Sequence, residues 1–375
     1  MGVNEIILYL MVIFMVLGAL DKCLKNKFGL GDKFDEGVMA MGSLTLAMVG
    51  IIVIAPVLAD ILSPIVVPLY SALGADPSMF ATSLLAIDMG GFQLAEEMAK
   101  TADAGLFAGV ILGSMMGPTI VFSIPVALGI IEKKDHRFLA TGILAGMITI
   151  PIGCFVGGLV SGFSIGMILS NLVPIILFSA LISVGLWKIP EQMIKGFTVF
   201  GHGVVVVATL GLAVGIVQAL TGLTIIPGTA TVGEGVSIVG SIAIVLAGAY
   251  VMVDIITKVF NKPLLKFGKM LGMNEIAAAG MVATLANNIP MFAMMKDMDD
   301  RGKIINVAFC VSAAFVFGDH LGFTAGVAKD MIFPMIVGKL VGGVTAIFVA
   351  MFIADKMLGK SASNKGGDEK LAKAN

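Results

Sequence analysis

Ile276–Met295, IAAAGMVATLANNIPMFAMM, is apolar enough to enter a bilayer, yet its middle reads Ala286-Asn287-Asn288-Ile289-Pro290. Two adjacent carboxamides followed by a proline cannot continue a lipid-facing helix. Proline removes a backbone donor and pushes the residue before it out of helical geometry, and the amides need partners. Non-helical backbone at membrane depth survives only where protein buries it or where it lines a watery cavity. The stretch therefore predicts two short helices that dip in and return, with the amides at the tip. An echo lies at Ser78–Met98, SMFATSLLAIDMGGFQLAEEM, where Asp88 and Gly90-Gly91 stand in place of the Asn-Asn-Ile-Pro break.

Composition sets the class around these two segments. Of 375 residues 58% are hydrophobic and 13% charged, and the mean hydropathy is +1.03. Several apolar runs exceed the ~18 residues that cross a hydrocarbon core. The chain reads as an all-α integral membrane protein. A net charge of −1 offers nothing to nucleic acid. Cys23, Cys154 and Cys310 are too scattered for a disulfide framework or a metal site, and no cofactor is indicated. The 26 methionines read as packing material.

In chain order, spans are expected over residues 3–20, 37–62, 105–131, 138–162, 165–187, 203–220, 235–258, 304–323 and 331–354. The first has no small-residue cleavage site and reads as a retained span. Polar or basic connections are expected at 21–36, 132–137, 188–195 and 258–269, an interfacial piece at 63–73, and a disordered tail over 359–375. Gly105, Gly109, Gly113 and Gly117 form a ladder of small residues that lets helices approach closely. Pro118 then interrupts that span, beside Ser114, Thr119 and Ser123.

The two halves echo each other. Glu36-Gly37 and Glu234-Gly235 lie 198 positions apart, as do Leu73-Gly74 and Leu271-Gly272. Each broken segment is followed by a span with a glycine break, Gly117-Pro118 or Gly318-Asp319, and then by a span with a Gly-Gly pair. This spacing suggests a duplication, with one repeat over 1–162, a connecting span over 163–200 and a second repeat over 201–358. If both broken segments are re-entrant, every basic loop falls on the cytoplasmic side and the N-terminus outside. Nine crossings plus two hairpins result. An odd number of crossings separates the repeats, so their topology is inverted, an arrangement typical of transporters with a site at the breaks.

Several strings also carry a family likeness. They are Glu36-Gly37 with Met39-Ala40-Met41-Gly42, Asp88-Met89-Gly90-Gly91, Gly113-Ser114-Met115-Met116-Gly117-Pro118-Thr119, Ile276–Met291, Gly318-Asp319-His320-Leu321-Gly322-Phe323 and Met331–Thr345. Through them nearly the whole chain resembles the bacterial ethanolamine permeases of ethanolamine-utilisation pathways. The loops Leu24–Gly31 and Thr221–Gly233 are shorter than expected for that family. The resemblance implies passage of ethanolamine across the inner membrane, with no catalysis.

Ethanolamine carries one ammonium and one hydroxyl. A dehydrated ammonium needs carboxylates or carbonyls, and aromatic faces attract it further. The ionisable residues expected at membrane depth are Asp88, Asp319, His320 and Lys339. Asp88 and Asp319 sit at breaks and read as ammonium contacts, or as carboxylates tied to hairpin backbone. Asn287 and Asn288 either bind the hydroxyl or cap half-helices. His320 reads equally as a proton shuttle and as a ring hydrogen-bonded beside Asp319. Lys339 reads as a snorkelling side chain or as a structural partner of Asp319. Gln93, Ser114 and Thr119 are further polar candidates, and Phe92 and Phe323 are flanking rings.

A rival function from another class is an intramembrane aspartyl protease, but Ile87 precedes Asp88 where that family has tyrosine. Val316 likewise replaces the first glycine of a Gly-x-Gly-Asp motif. A nearer rival is an ion-coupled carrier of another small amine, amino acid or nucleoside. The element order matches elevator-type carriers, and with it a homo-oligomer is expected.

Overall fold

The computed structural model describes residues 2–372, with side chains left out at 260, 261, 264, 269 and 358–372. The described chain is helical, without strands. Helix α1 is Val3–Cys23, and α2 runs through Leu30–Ala72 with a wide π-helical turn at Thr45–Val49. The first broken segment is α3 (Ser78–Leu84) and α4 (Phe92–Met98). The span after it is split into α5 (102–112) and α6 (116–130). Then follow α7 (His136–Val160), α8 (Ile165–Lys188), α9 (Pro190–Thr221) and α10 (Val232–Met270). The second broken segment is α11 (Glu275–Ala286) and α12 (Asn288–Met294). Another split span, α13 (Asp300–Ala313) and α14 (Asp319–Val327), precedes α15 (Ile332–Ala372).

Among the described residues, eight helical stretches are long and apolar enough to cross a membrane, the split span α5–α6 counted as one. The ninth expected crossing, 304–323, is the pair α13 and α14, interrupted at 314–318. Several expected connections are helix instead. Residues 63–73 are not a separate interfacial piece, because α2 continues past Pro56, Pro64 and Pro68 to Ala72. Prolines in such helices are tolerated where neighbouring groups satisfy the freed backbone. The 21–36 loop shrinks because helix resumes at Leu30. The 188–195 connection reduces to Ile189, since Pro190 starts α9 in the first-turn position, where its missing donor costs nothing. The basic stretch 258–269 extends α10. The expected disordered tail falls where side chains, and beyond Ala372 the backbone too, lie outside the described residues; α15 carries backbone into it.

Burial ranks the spans. In the most apolar window of residues 102–130, 83% of residues are buried, against 11% for α1. The split span α5–α6 is therefore the central strut, and α1 is peripheral. Around the strut, α7 packs against α8, α13 and α15, while α10 packs against α1, α2 and α14.

Both broken segments close on themselves. Asp76, just before α3, accepts from the Lys100 backbone N–H, just after α4, at 3.0 Å, and Lys100 Nζ donates to Ser71 Oγ at 2.7 Å. At the second segment the Asn274 amide donates to the Asp297 carbonyl at 3.0 Å, and its backbone N–H to Asp299 at 2.8 Å. In each case start and finish lie side by side.

Candidate functional site

The breaks of the segments lie against the breaks of the split spans. At the first, Leu85 and Ala86 are extended, and the Ile87 N–H donates to the Gly113 carbonyl at 2.8 Å. Gly90 turns the chain at φ +81°, where a side chain would be strained and its Cβ would lie 2.1 Å from Ile51 Cγ2. At the second, Phe315 and Phe317 N–H groups donate to the Thr284 and Leu285 carbonyls at 3.1 and 2.9 Å.

A matched close approach locks each pair. A Cβ on Gly117 would lie 1.9 Å from the Leu85 carbonyl oxygen, and one on Gly318 would lie 2.1 Å from that of Ala286. Both partners are displaced by the same 201 positions. Only glycine permits either contact. Phe315, beside the second break, holds φ +63°, a strained value for an aromatic residue.

The acids stand at these junctions. Asp88 is half-buried in the first break, and among the described residues no other side chain donates to its carboxylate or pairs with it. Its charge interacts with those of Asp319 and Lys339. Asp319 begins α14 and accepts a hydrogen bond from the Tyr250 hydroxyl of α10. The Glu36 charge, on the exposed side of α2, also reaches Asp319.

Lys339 is buried, and its Nζ donates to the Ser114 carbonyl and lies 3.0 Å from His320 Nδ1. The expected Lys339–Asp319 pair is therefore absent from the described ion pairs: the lysine points to the α5–α6 break, and the carboxylate to Tyr250. His320 Nδ1 and the lysine form a buried hydrogen-bonded pair. The ring also lies 5.1 Å from that of Phe315. His320 is thus fixed beside Lys339.

Gln93 stands out among the amides. It is buried, and neither Nε2 nor Oε1 has a hydrogen-bond partner among the described residues. Leaving such a group unpaired costs about 1–3 kcal/mol per missing partner. Beside it, Phe92 meets Phe323 edge-on at 5.6 Å. The two asparagines differ. Asn287 caps α12 through Ile289 N–H at 2.8 Å, and its Nδ2 remains available. Asn288 is buried and donates to Ser123 Oγ at 2.8 Å.

Thr119 and Ser114 are also engaged. The Thr119 hydroxyl lies 3.0 Å from the Met115 carbonyl and 3.2 Å from that of Val311, bridging the two split spans. The Ser114 hydroxyl donates to Ile111.

Sequence reasoning missed Tyr250 and, among the described residues, the buried hydroxyls without partners: Thr82, Ser179, Ser183, Ser312 and Thr324. Tyr250 carried a signal, as one of three tyrosines in the chain and the only one in an apolar stretch near Asp254. The hydroxyls did not, because serine and threonine are common in membrane helices.

Fold and site together define a multi-pass helical membrane protein whose interrupted helices bring two acids, a lysine and an unpartnered amide to neighbouring breaks. Residues 3–353 match the family model described as "Ethanolamine utilisation protein, EutH". The chain belongs to that family. It is 73% identical, over the full length of both chains, to a protein of Listeria monocytogenes named "Probable ethanolamine permease EutH". It is 55% identical to the Escherichia coli protein of the same name, covering 95% of this chain and 97% of that one. A Bacillus subtilis relative named "Uncharacterized protein YxeR" is also 55% identical, covering 94% of this chain and 95% of that one. No solved structure matches the chain.

Proposed function

We propose that this protein carries ethanolamine across the bacterial inner membrane, binding it between the two breaks. The observation that carries this is the Asp88 carboxylate, half-buried at a helix break and unclaimed by any other side chain among the described residues. A carboxylate at membrane depth is costly and marks a pathway or a binding site. Asp88 takes the ammonium, with Asp319 nearby. Gln93 and the free Asn287 amide meet the hydroxyl, which both donates and accepts. Phe92 and Phe323 bound the site. The names of the relatives support the choice of substrate.

Each broken segment is a re-entrant hairpin in this account, and the hairpins enter from opposite faces. Supporting this, the ends of each segment are hydrogen-bonded together. The split span α5–α6 begins beside the first hairpin's base and ends at Glu132–Arg137, where Lys303 meets Asp135 at 2.7 Å beside the second. The duplicated glycine–carbonyl contacts favour two inverted repeats, and the element order favours an elevator-like mechanism and a homo-oligomer.

Two experiments test the proposal. Purified protein in liposomes should take up ethanolamine saturably and in preference to other small amines, without an imposed ion gradient; uptake only of a different solute would overturn the substrate. Cysteines replacing exposed Asp103 and Lys296, in a background lacking Cys23, Cys154 and Cys310, should react with an impermeant thiol reagent from opposite faces. Labelling from one face would overturn the inverted repeats.

A further inference from the structure

At one end of the bundle, away from the breaks, the ends of α6, α7, α8 and α9 and the 353–357 stretch of α15 enclose an open groove of about 1580 Å³. That exceeds the ~300–1,000 Å³ of ordinary small-molecule pockets. Its wall is apolar, built by residues such as Leu144, Val184 and Ile194, and its rim is basic. Lys133, Lys195 and Lys356 line it with no carboxylate within ion-pair distance among the described residues. Lys356 lies over the Phe352 ring at 4.0 Å. Two other cations of the rim are already engaged: Lys134 with Glu132 at 2.6 Å, and Arg137 with Asp300 at 3.8 Å. Glu191 is the one acid of the lining. Trp187, 74% exposed at the end of α8, stands at the groove, where amphipathic rings sit at the headgroup level.

We infer that this groove binds an anionic phospholipid. Free ammonium groups at the rim meet the phosphate, and the apolar wall takes the acyl chains. Basic pockets between membrane helices hold anionic headgroups in this way. The three unpaired lysines give the groove a preference for net negative charge, which a zwitterionic lipid does not satisfy. The inference rests on the groove alone and holds whatever solute crosses at the breaks.

Trp187 is the only tryptophan in the chain, so the groove contains its own reporter. The full-length protein is placed in nanodiscs in which either phosphatidylglycerol or phosphatidylcholine carries bromine on its acyl chains, and Trp187 fluorescence is followed as the brominated fraction rises. Brominated phosphatidylglycerol should reach half-quenching at a several-fold lower mole fraction. The preference should vanish in K133Q/K195Q/K356Q, and should already shrink in K195Q alone should the triple variant fold poorly. Equal quenching by the two lipids would show an ordinary lipid annulus and overturn the inference. Quenching by neither would show that a second copy or the chain's own tail covers the groove, and would overturn it too. A preference that survives both variants would place its origin elsewhere and count equally against it.

Discussion

The two breaks use the same backbone device and put it to different ends. Each closes against a split span through a glycine that accepts a backbone carbonyl where a Cβ would stand, at Gly117 and at Gly318. The polar side chains at their tips then diverge. At the second break, Asn287 caps α12 through its Oδ1 and Asn288 holds Ser123 through its Nδ2, so each amide is engaged in the fold at one end, while Asn288 Oδ1 has no partner among the described residues. At the first, among the described residues, Asp88 has no other side chain to hold it, and Gln93 on the following half-helix has both polar atoms unpaired. A tip whose amides are each held at one end by the protein fixes geometry. An unsatisfied one awaits a ligand.

Substitutions can break or sharpen this contrast. The largest effect belongs to the shared device. Gly117→Ala and Gly318→Ala each place a methyl about 2 Å from a backbone carbonyl oxygen that has no room to move. Both should sharply reduce the folded, monodisperse protein seen by fluorescence-detected size exclusion. Normal folding of either variant would mean that the two junctions are not equivalent.

Next comes Lys339→Met, which strips the buried Ser114 carbonyl and His320 Nδ1 of their lysine partner. The loss should be about 1–3 kcal/mol for each stranded group, read as a lower melting temperature. Adding Asp319→Asn should give no recovery, because that carboxylate is held by Tyr250 rather than by the lysine. Recovery in the double variant would place the two charges in contact and blur the division between the breaks.

Asn288→Ala removes a buried hydrogen bond to Ser123 and should cost about 1–3 kcal/mol in stability, with ethanolamine affinity little changed in the protein that folds. Gln93→Leu should do the reverse. Its amide has no protein partner to lose, so the melting temperature should hold or rise. Affinity should fall by about 0.5–1.5 kcal/mol, a few-fold in Kd. Opposite results for the two amides would exchange the roles assigned to the breaks.

Much of this was legible in the sequence, because membrane-depth backbone obeys few rules. Asn287-Asn288-Ile289-Pro290 and Asp88 with Gly90-Gly91 could only be interruptions, and both are. The glycine breaks at Gly117 and Gly318 likewise marked where split spans would meet them. Helix ends were harder to read. Polarity at 21–36, 188–195 and 258–269 signals water, but a helix continues into water as readily as a loop does, and prolines at 56, 64 and 68 were no barrier. Least legible were side-chain partners. The sequence places Lys339 and Asp319 in one bundle, but which carbonyl or hydroxyl each meets depends on helix rotation. For the same reason Tyr250 escaped notice, and Ser114 contributes its backbone carbonyl rather than its hydroxyl.

The central claim is that the first break holds the ammonium. Its most direct test is equilibrium titration of ethanolamine into purified Asp88→Asn, compared with wild type at matched stability. Asparagine keeps the size and removes the charge. Losing a charge-assisted hydrogen bond of about 1.5–3 kcal/mol should weaken binding tenfold or more while the protein remains folded. Wild-type affinity in a well-folded Asp88→Asn, Asp319→Asn double variant would contradict the account and place the substrate away from the two breaks.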